Sequence, residues 1–368
     1  MNEPNNSPNI NDRFLNYLNY DEKDKYEWEL ISASKDQKNK RNVFRGYNNE
    51  EDKFIYVKQI KLFKEFYDNK EINQILKEIY FLVLLKNQKY FTKLYKFLLS
   101  DESDDKKMIF LIFKETTISL KNCFISTESN KLNIRKIFYQ ITFGLYTLHF
   151  NNIIHCDIKT SNIAINENQE ISIIDFGSAF YKGEKVKEYT LSYAAPEYLD
   201  DTEKEIDEKY DMWSLGVLLI ELFLKTNFFE NDNPNDGEEN KIENQLRFII
   251  SKFGKDKNMP KDQINDLING NSSDGLLDNE ENEIHKAVND KDALELINNL
   301  LVLNPKKRYS AKQVLESNYL KIYYKEDPID LKELKSTIDI NELKGLIDEN
   351  KFQNLYNKLE LELNDKET

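Results

Sequence analysis

An α+β fold, with a small strand-rich first third and a larger helix-rich remainder, is what the sequence predicts, and three observations predict it. Five segments rich in β-branched and aromatic residues fall before residue 116, interrupted by one segment of helical period. Beyond them, stretches such as 137–148 and 211–222 carry apolar residues at helical spacing or nearly all round. Strands first and helices after is the order of an α+β architecture rather than of alternating βα units. Third, a polar loop, His155 to Asn162, is followed by two short strand-like segments, Ile163–Ile165 and Ile171–Ile174, and then by Asp175-Phe176-Gly177.

Taken in order, residues 1–24 are polar, Asn-rich and aperiodic, which predicts a disordered, weakly held tail. Tyr26–Ile31 and Asn42–Tyr47 read as two strands flanking a Lys-rich stretch, and Phe54–Ile60 as a third. Ile72, Ile75, Leu76 and Ile79 fall at i, i+3, i+4, i+7 and predict an amphipathic helix that carries Glu78. Tyr95–Leu99 and Met108–Phe113 complete the strands, with acidic Asp101–Asp105 as the turn between them. Ile137, Ile141, Gly144, Leu145 and Leu148 share one face of a long helix. Asp211–Leu222, apolar nearly all round, reads as a buried helix. Phe228–Asn244 and Asn269–Glu283 are acidic, Asn-rich and without period, and read as loops that are solvated or dock a partner. Phe352, Leu355, Tyr356 and Leu359 again fall at i, i+3, i+4, i+7, so the C-terminal stretch is expected to be helical, its apolar face packed back on the chain, on a partner or on a second copy.

Composition bounds the function. The net charge of -14 argues against a nucleic-acid binder, where a basic face is expected. Cys123 and Cys156 are the two cysteines, too few for a disulfide framework. No apolar run reaches the length of a membrane span, and the polar start lacks a signal-peptide core. The expected location is therefore intracellular, cytoplasmic or nuclear, without membrane attachment.

The central loop carries the chemistry. One Asp, one Lys and one Asn sit close together on it, and a second Asp follows the paired strands. That set suits phosphoryl transfer: a carboxylate accepts the hydroxyl proton, a cation meets the phosphate, and oxygen ligands hold magnesium. Alone, His-x-Asp is a turn and Asp-Phe-Gly is commonplace; together and in this order they are specific.

His155-Cys156-Asp157-Ile158-Lys159-Thr160-Ser161-Asn162 with Asp175-Phe176-Gly177 resembles the catalytic loop and magnesium motif of the eukaryotic protein kinases, with Cys156 where the family has Arg. Further segments extend the resemblance over 26–324. Gln140–His149 resembles the helix leading into the catalytic loop, Ala195-Pro196-Glu197 the motif closing the activation segment, Asp211–Leu222 the central helix, and Asn304-Pro305-Lys306-Lys307-Arg308 a late motif whose Arg pairs with the closing Glu. The resemblance implies a bilobal protein-kinase-like fold, with a β-rich N-lobe at 25–115 and a mainly helical C-lobe at 116–324, followed by a helical extension at 325–368. Gln245–Gly254 is similar to the region after the central helix in the cyclin-dependent and mitogen-activated group, although Ala194 replaces an Arg of that group.

Roles follow from the resemblance alone. Asp157 is the base, Lys159 the cation at the phosphate, and Asn162 and Asp175 the magnesium ligands. Lys58 holds the nucleotide phosphates and Glu78 holds Lys58, with Glu71 as a rival for that place. Val43 covers the nucleotide, Phe113 is the gatekeeper, Glu115 and Thr116 form the hinge, and Ser119 stands near the ribose. His149 and His155 are structural, Thr190 contacts Asp157 and Lys159, and Glu197 pairs with Arg308. The implied activity is transfer of the γ-phosphate of ATP, with Mg2+, to serine or threonine hydroxyls of protein substrates. A regulatory partner is expected at the C-terminal helices or the acidic loops.

Two departures bear on that activity. No glycine precedes Gly46, so the loop that covers the phosphates lacks its glycines. Either Asp36, Lys38 and Arg41 occupy those positions, or Ser32 and Ser34 replace two of them in a longer loop. Tyr56 stands where the family has the small residue above adenine. These departures favour the alternative of a pseudokinase, a scaffold or allosteric binding module on the same fold, whereas the full set of reacting groups favours the enzyme. Because Cys156 cannot grip a phosphate, and Lys185 aligns with the phosphothreonine of related kinases, the activation segment is expected to be ordered without phosphorylation.

Overall fold

The computed structural model describes residues 26–33, 41–48, 53–63, 69–103, 106–114, 118–125, 132–186, 190–199, 203–226, 228–229, 241–256, 258–270, 283–326, 334, 357–358 and 361. The chain divides into two compact units. The smaller comprises residues 1–87, 92–117 and 335–368, and the larger residues 88–91 and 118–334.

The small unit is built on one antiparallel sheet. Its strands are β1 (Tyr26–Ala33), β2 (Arg41–Asn48), β3 (Lys53–Phe63), β4 (Leu94–Ser103) and β5 (Lys106–Lys114), in the order β1-β2-β3-β5-β4. The helix α1 (Asn69–Leu84) follows β3 and buries Ile75, Leu76 and Ile79, the stripe that its sequence predicts. One expectation is corrected here. Asp101 and Ser103 lie in β4, so the acidic stretch is strand rather than turn up to Ser103. Asp101 pairs in register with Lys107 and Ser103 with Lys106, so the backbone ladder to β5 runs through the acidic stretch.

The large unit is mainly helical. It opens with β6 (Ile118–Ser119), α2 (Leu120–Ile125) and the long α3 (Ile134–Phe150). Short strands follow: β7 (Ile153–Ile154), β8 (Ile163–Ile165), β9 (Ile171–Ile173), β10 (Phe180–Tyr181), β11 (Lys185–Val186) and β12 (Lys204–Glu205). They pair as β6-β8-β9, β7-β10 and β11-β12. The central helix α4 (Glu208–Leu224) buries nearly its whole circumference, as an all-apolar helix must. It starts on an Asp207 side chain that accepts the Lys209 N–H. Gly216 lets α8 (Lys291–Leu300) approach α4, since a Cβ at that position would stand 2.9 Å from the Leu300 Cβ. The remaining helices are α5 (Lys241–Lys252), α6 (Lys261–Asn269), α7 (Glu283–Ala287), α9 (Ala311–Glu316) and α10 (Lys321–Glu326).

The loop expected over Phe228–Asn244 is corrected at both ends. Phe228 and Phe229 are buried, Phe229 stacking on Trp213 at 5.9 Å, and α5 already begins at Lys241. Two adjacent phenylalanines carry no period, yet burying Phe229 on Trp213 and Phe228 on Phe229, ring centroids 4.8 Å apart, removes a large apolar area from water. Residues 271–282 of the second acidic stretch lie outside the described residues, as do residues 1–25 and most of the C-terminal stretch, including Phe352, Leu355, Tyr356 and Leu359.

Candidate active site

Within the large unit, the loop between β7 and β8 is held from beneath by α4. Asp211 Oδ2 accepts the backbone N–H of His155 at 2.9 Å, and its Oδ1 accepts that of Cys156 at 2.9 Å. The same carboxylate meets His149 Nε2 at 2.9 Å. Asp211 is fully buried, so these hydrogen bonds compensate its desolvation, and they fix the loop to the central helix. His149 and His155 are thereby structural; His155 also packs against Phe176, ring centroids 5.0 Å apart. Cys156 adopts a left-handed φ of 62°, and its buried thiol is pushed well above its usual range by desolvation and by the nearby carboxylates of Asp211 and Asp157.

The loop converges on the Asp157 carboxylate. Lys159 Nζ donates to its Oδ1 at 2.9 Å, Thr190 Oγ1 donates to Oδ1 at 2.7 Å, and Asn162 Nδ2 donates to Oδ2 at 2.7 Å. Lys159 also reaches Thr190 Oγ1 at 3.2 Å. Asn162 gives its other amide hydrogen to the Asp157 carbonyl at 2.9 Å, which leaves its Oδ1 as the oxygen turned away from Asp157. The structure thus brings together Asp157, Lys159, Asn162 and Thr190, four residues picked out in the sequence.

Asp175 follows β9, exposed, at a left-handed φ of 64°, where it accepts the Gly177 N–H at 3.4 Å. Phe176 behind it is fully buried and packs on Phe91 as well as His155. An Asn side-chain oxygen and an exposed carboxylate are hard oxygen donors. Such a sparse set suits Mg2+, which keeps water and phosphate oxygens in its shell. Among the described residues no group of three or more His, Cys, Asp or Glu gathers as a metal cage.

A second buried acid on α4 holds the far end of the loop. Glu221 accepts hydrogen bonds from the Tyr193 hydroxyl and, at 3.5 Å, from Thr160 Oγ1. Burial pushes its carboxyl up to about 7, against the hydrogen bonds of Tyr193 and Thr160. The sequence alone gives neither Asp211 nor Glu221 a functional part. The available signal was an acid standing in an otherwise apolar helix, where burial demands partners.

In the small unit, Lys58 Nζ pairs with Glu78 Oε1 at 2.6 Å, and their side chains are 12% and 2% exposed. That selects Glu78 over its rival Glu71 as the partner of Lys58. Val43 lies on β2 directly opposite Lys58, so the two side chains share a face of the sheet. Tyr56 is opposite Arg45 and hydrogen-bonds its guanidinium, which also meets Glu29 at 2.5 Å. Phe113, one residue before the end of β5, is opposite Tyr56. Glu115 and Thr116 lie outside the described residues. Ser119, in the large unit, accepts the Asn122 N–H at 3.2 Å at the start of α2.

Architecture is held by Arg308, whose side chain is fully buried and makes two hydrogen bonds to Glu197, at 2.7 and 3.0 Å. The guanidinium also donates to the carbonyls of Lys209 and Val302, and its carbon lies 5.1 Å from the Trp213 ring centroid.

The family model of the protein kinase domain matches residues 40–320. The chain belongs to the protein kinase domain family. Relatives of this kinase domain include the CTD kinase subunit alpha of Saccharomyces cerevisiae, 29% identical over 239 residues, 63% of this chain and 44% of that protein. The mitogen-activated protein kinase hog1 of Trichoderma harzianum is 30% identical over 240 residues, 60% of each chain. That of Aspergillus clavatus is 30% identical over 232 residues, 61% of this chain and 60% of the other. The chain therefore spans about half the length of the curated relatives it matches. The mitogen-activated names agree with the leaning read from the segment after the central helix.

Proposed function

We propose that the chain is a Mg-ATP-dependent protein kinase that phosphorylates serine or threonine hydroxyls of protein substrates. The observation that carries this reading is the set of hydrogen bonds around Asp157, where Lys159, Asn162 and Thr190 all converge on one carboxylate. Thr190 occupies a position from which an incoming hydroxyl could take over the contact to Asp157 Oδ1. Asp157 would then accept the proton of that hydroxyl, and Lys159 would place positive charge beside the phosphoryl group in transfer. Asn162 and Asp175 would hold Mg2+, which neutralises phosphate charge when bound. In the small unit, Lys58, held by Glu78, would contact the nucleotide phosphates. Tyr56, the residue that raised the pseudokinase alternative, has its hydroxyl engaged by Arg45. The kinase domain is read as 25–324, with a tail at 1–24 and an extension at 325–368. Protein substrates are its partners, and an intracellular site of action suits ATP as co-substrate; no described helix is long and apolar enough to cross a membrane.

The test is transfer of labelled phosphate from ATP to a protein acceptor. Asp157→Asn should lower the rate by about 100-fold or more while leaving the melting temperature nearly unchanged, because the residue is partly exposed and the loop is held by Asp211. Equal rates in wild type and variant would overturn the reading.

A further inference from the structure

The sheet of the small unit has two faces, and Lys58 marks one of them. Side chains alternate along a strand, so Val43, Tyr56 and Lys58 share a face, and the Lys58–Glu78 pair fixes α1 against it. The opposite face carries Phe44, Val57, Met108, Phe110 and Ile112, all between 0% and 4% exposed. Two buried amides on that face find their partners within the sheet. Asn42 Nδ2 donates to Gln59 Oε1 at 2.8 Å, and Gln59 Nε2 donates to Met108 Sδ at 3.6 Å. A sheet face left open to water would not be this dry, so something covers it. The cover is not α1, which lies on the Lys58 side and is the one long helix described in this unit.

The chain itself indicates the cover. Leu334 is still anchored in the large unit, its N–H donating to Asn151 Oδ1 at 2.9 Å, whereas both ends of the chain, residues 1–25 and 335–368, group with the small unit, and of the two it is 335–368 that carries the apolar stripe of helical period. In that stretch Asn357 and Lys358 are helical and exposed, and Leu361 is 69% exposed. On a helical wheel these three lie opposite the stripe Phe352, Leu355, Tyr356 and Leu359. We propose that the segment 335–368 is a built-in cover for the outer face of the small-unit sheet, seating that stripe over Phe44, Val57 and Ile112. Val57 and Gln59 flank Lys58 on β3, so the cover backs the strand that presents Lys58.

Met108 reports on the face, and Met212, fully buried in α4, is an internal control. Peroxide oxidation of each methionine is followed by mass spectrometry in the full chain, in chains lacking 335–368 or 1–24, and in a full-length Leu355→Asp, Leu359→Asp variant. Loss of 335–368, or the double substitution, should speed Met108 oxidation about tenfold with Met212 unchanged. A peptide of residues 345–368 added to the shortened chain should restore protection, which an unfolded small unit could not show. The proposal is overturned if Met108 stays protected without 335–368, or if the peptide restores nothing. It is equally overturned if loss of 1–24 alone exposes Met108, or if protection in the full chain vanishes on dilution, as it would where a second copy is the cover.

Discussion

Glu221 is a carboxyl held in a buried setting, and its protonation should be visible in stability. Its folded value, about 7, lies above the ordinary 4.5 expected when unfolded. Between those values the folded chain keeps a proton that the unfolded chain has released. The contribution is therefore fully present below the lower value and lost as pH rises through the upper one. The span corresponds to on the order of 1–3 kcal/mol. Urea unfolding from about pH 5 to about pH 8 should show wild type losing stability relative to Glu221→Gln. Parallel pH profiles would mean that Glu221 is not the titrating group. Arg308 makes a different prediction. Truncating it removes both hydrogen bonds to the Glu197 carboxylate and those to the carbonyls of Lys209 and Val302, so Arg308→Ala should cost about 3–5 kcal/mol in denaturant unfolding. A cost below about 1 kcal/mol would place the pair among surface ion pairs, which contribute little. The pairing of Glu197 with Arg308 was legible in the sequence because both residues sit in short motifs. The roles of Asp211 and Glu221 were not, because each depends on which distant backbone or hydroxyl the fold brings to a buried helix.

At the scale of elements, the described residues between Asp175 and Glu197 make contacts that involve no phosphate. β10 pairs with β7 through Phe180–Ile154 and Tyr181–Ile153, and β11 pairs with β12 through Lys185–Glu205 and Val186–Lys204. Lys182 meets Glu208 at 2.6 Å, and Thr190 ties the far end to Asp157. Cys156 is buried, with a thiol pushed up rather than down, so it offers neither cation nor thiolate to the segment. Phosphatase treatment of active recombinant protein should therefore leave the transfer rate unchanged, and a loss of about tenfold or more would show that a phosphate on the segment had been holding it. The strands and long helices were legible because their period is local: β-branched runs in β3 and β5, and the 3.6-residue stripe of α1. The end of β4 and the start of α5 have no local signature, since ladder pairing with β5 and the burial of Phe228 and Phe229 are tertiary effects.

For the molecule as a whole, charge and the missing glycines combine in nucleotide binding. The chain carries a net charge of -14, a field that disfavours a polyanion such as ATP. Residues 34–40, outside the described residues, contain three lysines and no glycine, and Arg41 begins β2. Glycine permits close amide contact with phosphate, whereas lysines offer charge on flexible stems. The two influences respond oppositely to salt: screening the body charge would tighten binding, and screening the loop cations would weaken it. Screening acts over about 10 Å at 0.1 M salt, so residues beside the phosphate dominate over charges spread across the surface. ATP should therefore bind more weakly as salt rises, by several-fold between about 0.05 M and about 0.3 M. Replacing the three lysines by glutamine should flatten that dependence, while Lys58→Met should lower transfer without flattening it, because Glu78 holds Lys58 away from bulk screening. Calorimetry of ATP with magnesium across salt reads all three proteins. If wild type binds ATP equally well or better at high salt, the loop cations do not stand in for the glycine cradle, and backbone amides of the longer loop must reach the phosphates instead.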